Sequence, residues 1–229
     1  LAAAQVLGRP ANTAREKASV TSDVTSLLGT VVLWVYWPSF VAGTLPPGTA
    51  ASNLALSNTI LALVGSTLVT FAASALLSGG RLRPVDVQNA SLAGGVAIGA
   101  TANLVSPFAA LLIGSLAGLV SALGFGRVQD ALLSRLGLHD SCGIHNLHGM
   151  PSLVGGLASA LGKYYISDGE VASAAGQPGT QMAGIGVTLL VAVVCGSATG
   201  AAMKALKDEE SARAPFDDSA HWEVADDFA

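Results

Sequence analysis

Six long apolar stretches constrain the fold of this sequence more than any other feature. A helix needs about 20 mostly apolar residues to cross a bilayer, and six stretches of that kind are bounded by Pro, Gly or charge: 24–44, 53–77, 85–104, 107–125, 143–164 and 182–205. Only 11% of the residues are charged, whereas an average soluble domain carries about 25%. The sequence therefore predicts an all-α polytopic membrane protein with six transmembrane helices.

The basic residues predict how the chain lies in the membrane. If it starts in the cytoplasm and crosses six times, ten of its 11 Lys and Arg residues fall on the cytoplasmic side, the exception being Lys163. Because the Lys and Arg bias of loops sets orientation, we expect a cytoplasmic linker at 1–23, a half-bundle at 24–205 and a cytoplasmic acidic tail at 206–229. Residues 128–138 are amphipathic but too short to span, which predicts a separate helix on the cytoplasmic surface.

Small residues recur at four-residue spacing within these stretches. That spacing places them on one helix face, where neighbouring backbones can approach closely. It therefore predicts a packed bundle rather than isolated anchors. The pairs are Gly95 and Gly99, Gly114 and Gly118, Gly155 and Ser159, and Gly196 and Gly200.

Polar residues at the head of the fifth stretch are the first candidates for function, because polar groups at bilayer depth are costly and face a cavity or a partner. They are His148, as the main candidate, and His145 and Asn146 as secondary polar groups of a pore. Desolvation in an apolar lumen disfavours the charged imidazole, so His148 is expected to be neutral there. One donor and one acceptor then suit a small neutral solute such as ammonia or water. Alternatively, His148 bonds a backbone carbonyl within the bundle.

The same histidines are poorly spaced for a metal site. His145 and His148 are three residues apart with no acidic residue between them, whereas the usual zinc-protease motif has four-residue spacing and an intervening Glu. An intramembrane metal-dependent hydrolase would need a further ligand at matching depth. We therefore expect no metal, no cofactor and no enzyme, and the absence of a basic run predicts no nucleic-acid partner.

Aromatic residues close the first stretch. Trp37 and Phe40 are three residues apart and can share a helix face at the outer mouth of a lumen. Pro38 would kink the helix and tilt Phe40 inward. The alternative is an interfacial aromatic belt.

Three sequence blocks combine these features and follow one another along the chain: Tyr36-Trp37-Pro38-Ser39-Phe40, Val87-Gln88-Asn89-Ala90-Ser91-Leu92-Ala93-Gly94-Gly95 and Asp140-Ser141-Cys142-Gly143-Ile144-His145-Asn146-Leu147-His148-Gly149-Met150-Pro151. Together they resemble the Rhesus (Rh) glycoprotein branch of the ammonium transporter superfamily. The resemblance covers nearly the whole chain but only the second half of the family's sequence. We therefore expect a fragment, equivalent to the second inverted repeat of the ammonium transporter fold plus the last helix.

The resemblance also implies roles for single residues. His148 is similar to the second of the family's paired pore histidines, and Phe40 to one of its gating phenylalanines. Trp37 and Ile144 would line the same lumen, and Asp140 would be a carboxylate of the cytoplasmic vestibule. Homotrimers, or heterotrimers with related subunits, in the plasma membrane are the implied assembly.

The expected function is a channel-type transporter that passes neutral ammonia past His148. Moving ammonium intact through an apolar lumen would cost on the order of tens of kcal/mol by Born reasoning, so the proton should be shed at the entrance. One alternative is a non-conducting Rh-like membrane scaffold, although members of that kind tend to lose the pore histidines. A carbon dioxide or water pore would share this lumen.

Overall fold

A computed structural model describes residues 1–9, 18–162, 178–207 and 216 of the chain. Helices make up the regular structure of these residues: α1 (Ala2–Leu7), α2 (Val20–Ala42), α3 (Ala50–Leu77), α4 (Pro84–Gln88), α5 (Ala93–Ile98), α6 (Pro107–Leu136), α7 (Met150–Ala160) and α8 (Pro178–Leu206). A short 3-10 turn, Ala90–Leu92, joins α4 to α5, and a wide π-helical turn, His145–Gly149, leads into α7.

Four of these helices, namely α2, α3, α6 and α8, are long and apolar enough to cross a membrane. The third predicted stretch is instead broken into α4, the 3-10 turn, α5 and a run of turns. The fifth is shorter than predicted, because α7 and its π-helical turn together end at Ala160. The all-α membrane architecture is confirmed, and the number of six crossings stays a prediction.

One correction concerns residues 128–138, for which the sequence predicts a separate surface helix. The structure continues α6 from Pro107 to Leu136 without a break. Two π-helical turns, Gly124–Val128 and Leu132–Leu136, widen its last part. The fourth predicted stretch ends at residue 125, just before Gly126. The helix continues through Gly126 because a glycine in a helix interior destabilises the helix by only about 1 kcal/mol. The helix ends at Gly137, which has a left-handed backbone (φ 67°).

Helices α3 and α6 run in the same direction, which fixes the course of the broken segment between them. Gly114 of α6 packs against Ala62 of α3, and four residues later Gly118 packs against Ser66. A Cβ atom at either glycine would overlap the α3 backbone, so the predicted close approach of small residues is confirmed for this pair. The chain must therefore return between the two helices to start α6 at the same end as α3.

The return segment runs along most of the length of α3. At its start, the Arg83 N–H donates to Ser74 Oγ over 3.0 Å, and at its end the Asn58 side chain donates to the carbonyls of Ala102 and Val105, each over 2.8 Å. Ser74 and Asn58 are 16 residues apart on α3, which is about 24 Å of helix. The hydrocarbon core of a bilayer is about 30 Å thick, so this course fits a crossing.

Side chains from α2 and α3 satisfy the irregular backbone of this segment. Thr30 Oγ1 donates to the Gln88 carbonyl over 3.0 Å, and Ser66 Oγ donates to the Ala90 carbonyl over 2.7 Å. Non-helical backbone at membrane depth persists only where its polar groups find partners inside the protein. Polar residues within α2 and α3 therefore stabilise the broken segment between α3 and α6.

An ion pair between the half-buried Arg83 and a buried carboxylate anchors the start of the broken segment. Asp86 is fully buried, and Arg83 meets it as a fork, with Nε and Nη2 each 2.8 Å from a different carboxylate oxygen. Arg83 Nη2 also donates to the Ala122 carbonyl of α6. Sequence reasoning treated Arg83 as a loop charge and missed this pair, whose signal was an acid three residues after a basic residue at the edge of an apolar stretch.

Candidate functional site

The site is built on the π-helical turn His145–Gly149, which carries all three polar candidates of the fifth stretch. Such wide turns are rare and often lie at functional sites. The chain enters this turn at Gly143, whose backbone is left-handed (φ 70°) and where a Cβ would overlap the Phe125 ring. Only glycine meets both conditions, so the entry angle of the turn is fixed by this residue.

Asp140 caps the start of this helical segment. Its two carboxylate oxygens accept hydrogen bonds from the backbone N–H groups of Ile144, over 3.0 Å, and His145, over 2.8 Å. The first N–H groups of a helix have no partner within it and attract negative charge. The structure thus gives Asp140 a positioning role in the site, and its role as a vestibule carboxylate stays a prediction.

Gln129 of α6 joins the same segment from the buried side. Its Nε2 donates to the Asp140 carbonyl over 2.7 Å, and its Oε1 accepts from Asn146 Nδ2 over 3.0 Å. Asn146 is fully buried and lies against Gly124. Sequence reasoning named Asn146 as a secondary polar group of the pore, whereas the structure places its side chain inside the bundle. Sequence reasoning missed Gln129, because a contact between residues 17 positions apart depends on tertiary packing.

Trp37 and His148 come together although they are 111 residues apart in the sequence. Their ring centroids are 6.4 Å apart and the rings are inclined by 24°, a near-parallel stack. Gly95 of α5 lies under Trp37, since a Cβ there would be 3.0 Å from two atoms of the indole ring. The structure therefore joins two residues that the sequence nominated for separate reasons.

Phe40 follows Trp37 by three residues and Ile144 precedes His148 by four, so each lies about one helical turn from the stack. The Phe40 side chain is 76% exposed and that of Ile144 is 49% exposed, and His148 is exposed as well. Helix α2 continues through the buried Pro38 to Ala42. The exposed Phe40, Ile144 and His148 thus flank the stack on an open, largely apolar face, while His145 is half-buried.

Within the part of the chain that the structure describes, no three His, Cys, Asp or Glu side chains lie close enough to hold a metal ion. His145 and His148 accordingly find no third ligand among those residues. The chemistry that this face offers is hydrogen bonding by an imidazole next to an indole ring, flanked by apolar groups.

Comparison with known proteins identifies the family of the chain. The sequence model of the ammonium transporter family matches residues 1–225. Ammonium transporter Rh type B of Rattus norvegicus is 41% identical over 229 residues, covering 92% of this chain and 50% of that protein. Ammonium transporter Rh type C of Xenopus laevis is 37% identical over 250 residues, covering 99% of this chain and 53% of that protein.

A solved structure, that of Rh50 from Nitrosomonas europaea, superposes with a TM-score of 0.79 at 36% identity, over 99% of this chain and 57% of that one. The chain thus spans about half the length of the relatives it matches. With its long apolar helices, it is an integral multi-pass membrane protein. The resemblance drawn from its three sequence blocks is confirmed: the chain belongs to the ammonium transporter family, on its Rh branch.

Proposed function

We propose that the protein containing this chain is a channel-type ammonium transporter that passes neutral ammonia beside His148. The observation that carries the proposal is the stack of His148 on Trp37, at 6.4 Å, on an open apolar face. A structural histidine would be expected to bury its ring among the bundle's own carbonyls. In this turn the buried polar side chain is that of Asn146, whereas His148 is exposed.

Deprotonation of ammonium at the mouth, with the proton passed to water there, is the step that this face favours. A bare cation in an apolar lumen would lose hydration worth on the order of tens of kcal/mol, whereas ammonia loses far less. The aromatic faces of Trp37 and Phe40 attract a cation at the entrance. A neutral imidazole at His148 then accepts one hydrogen bond from ammonia or donates one to it.

The rest of the lumen would come from residues outside this chain. The side that carries Phe40, Ile144 and His148 is uncovered here, and the relatives are about twice as long. A second repeat facing this one, with its own polar group opposite His148, would close the pore. We further propose assembly as a homotrimer, or as a heterotrimer with related subunits, in the plasma membrane with the linker and the acidic tail in the cytoplasm.

Ammonium-dependent alkalinisation of vesicles tests the proposal. The product of the complete reading frame should transport, and His148→Ala should lower its rate about tenfold or more, because the solute loses its hydrogen-bonding partner in a dry passage. Thr188→Ala, on the exposed face of α8, is the control and should keep the rate. Equal rates for the parent protein and His148→Ala would remove His148 from the mechanism. A parent protein that leaves vesicles silent would favour the non-conducting scaffold.

A further inference from the structure

Gln129 of α6 holds the segment leading to His148 at two points. Its amide N–H reaches the backbone carbonyl of Asp140, and its amide oxygen receives the side chain of Asn146. Both bonds run from the widened part of α6 to the residues that begin the His148 turn. We infer that Gln129 is a positioning residue for transport, which sets the orientation of His148. The inference rests on the proposed function.

The two bonds need one donor and one acceptor on the same flexible side chain. Among side chains of this length only Gln provides both, since Glu lacks the donor, Lys lacks the acceptor and Met lacks both. Asn146 is fully buried and Gln129 is half-buried. If the buried Asn146 amide loses its partner, it cannot reach water instead. The π-helical turn that carries it must therefore shift to give it another hydrogen-bond partner.

Such a shift reaches His148 directly. Asn146 and His148 are two residues apart on a helical turn, so their side chains point to roughly opposite faces. Asn146 is held in the bundle and His148 stacks on Trp37. Rotation of the turn about its axis therefore moves the imidazole through the same angle as the amide. Asp140, held by Gln129 through its carbonyl, in turn caps Ile144 and His145, which ties the start of the turn to the same side chain.

Transport kinetics of the complete protein test the inference. Gln129→Met removes both bonds at nearly constant volume. It should lower the maximal rate of vesicle alkalinisation about tenfold, because a misplaced group loses its productive geometry. The half-saturating ammonium concentration should not change, since the aromatic mouth is untouched. Should Gln129→Met fail to reach the membrane, Gln129→Glu, which keeps the acceptor for Asn146 and loses the donor to Asp140, takes its place.

Gln88→Met is the matched control. Gln88 is also a buried amide with two hydrogen bonds, but both go to Asp23 at the start of α2. That position is 14 residues before Trp37, about 21 Å along the helix. Gln88→Met should keep the maximal rate. A wild-type rate for Gln129→Met would overturn the inference. An equal loss in both variants would also overturn it, because it would indicate general loss of packing.

A structure of Gln129→Met by cryo-electron microscopy gives a readout that does not depend on transport. The His148 ring should leave its 6.4 Å stack while Trp37 keeps its place against Gly95, and an unchanged stack would contradict the inference. This readout separates the two proposals. If the parent protein moves no ammonium, the proposed function fails, while the position of the His148 ring still decides whether Gln129 holds it.

Discussion

At the scale of the residue, three groups with different chemistry restrain the His148 turn. The Asp140 carboxylate binds its first N–H groups, the Gln129 amide binds its buried face, and the Trp37 ring stacks on the imidazole. Charge, hydrogen bonding and packing thus act on one short segment. Each group can be replaced on its own, and comparison of the variants shows how far the three contributions are coupled.

Asp140 can be tested as a cap independently of its charge. Asn is as good a helix cap as Asp, and replacing a capping residue by Ala costs about 1 kcal/mol. Asp140→Ala should therefore lower the midpoint of thermal unfolding of the complete protein, whereas Asp140→Asn should keep most of it. If Asp140→Asn is as stable as the parent but loses transport, the negative charge itself is needed, as a vestibule carboxylate would require.

Gly95 can be tested as the support of Trp37. A methyl group there would lie 3.0 Å from the indole ring and 3.1 Å from Leu63 Cδ2, closer than ordinary contact, and overpacking of this kind costs about 1–3 kcal/mol. Gly95→Ala should displace Trp37 and reduce both thermal stability and ammonium transport. Gly99→Ala is the control, because a Cβ there meets only the Val96 carbonyl at 3.5 Å. Equal behaviour of the two variants would show that Trp37 is not held by Gly95.

At the scale of the element, the broken segment between α3 and α6 is where prediction from sequence stopped. Apolar stretches predicted helices at all six places, because burying backbone in lipid leaves a helix as the simplest solution. Hydropathy does not report whether a helix is continuous, so the break after α4 and its partners on α2 and α3 were missed. His148 could be predicted since a polar group is costly in an apolar stretch, but Gln129 and Asp86 could not, because their roles depend on which helices are neighbours.

Asn58 tests how much the break depends on side chains. It donates to the carbonyls of Ala102 and Val105, each over 2.8 Å, and is fully buried. Asn58→Leu leaves two buried acceptors unpaired, at about 1–3 kcal/mol each, so the thermal midpoint should fall clearly. Thr188→Ala, which loses one bond to the Gly184 carbonyl on an exposed helix, should change it little. A neutral Asn58→Leu would mean that the turns after α5 are held by packing alone.

At the scale of the whole molecule, the helices differ in how much of them the chain covers. In the most apolar window of each, 39% of α3 and 44% of α6 are buried, against 11% of α2 and none of α8. Helices α3 and α6 form the centre, and the side of α2 that carries Trp37 and Phe40 remains open next to His148. An apolar face of this extent must meet lipid or protein, and a lumen requires protein. The open side is therefore where we expect the rest of the pore.

The crossing count belongs to the same scale and separates two topologies. With only the four long helices as spans, the two ends of the broken segment would lie on one side of the membrane. With six spans they lie on opposite sides.

Arg81 and Phe108, both exposed, flank the segment. After Cys142 and Cys195 are replaced by Ser, Phe108→Cys should react with a membrane-impermeant thiol reagent from outside the cell, and Arg81→Cys only after permeabilisation. Labelling of both from the same side would refute the crossing, even though the course of about 24 Å along α3 and the internally satisfied backbone of the segment both favour it.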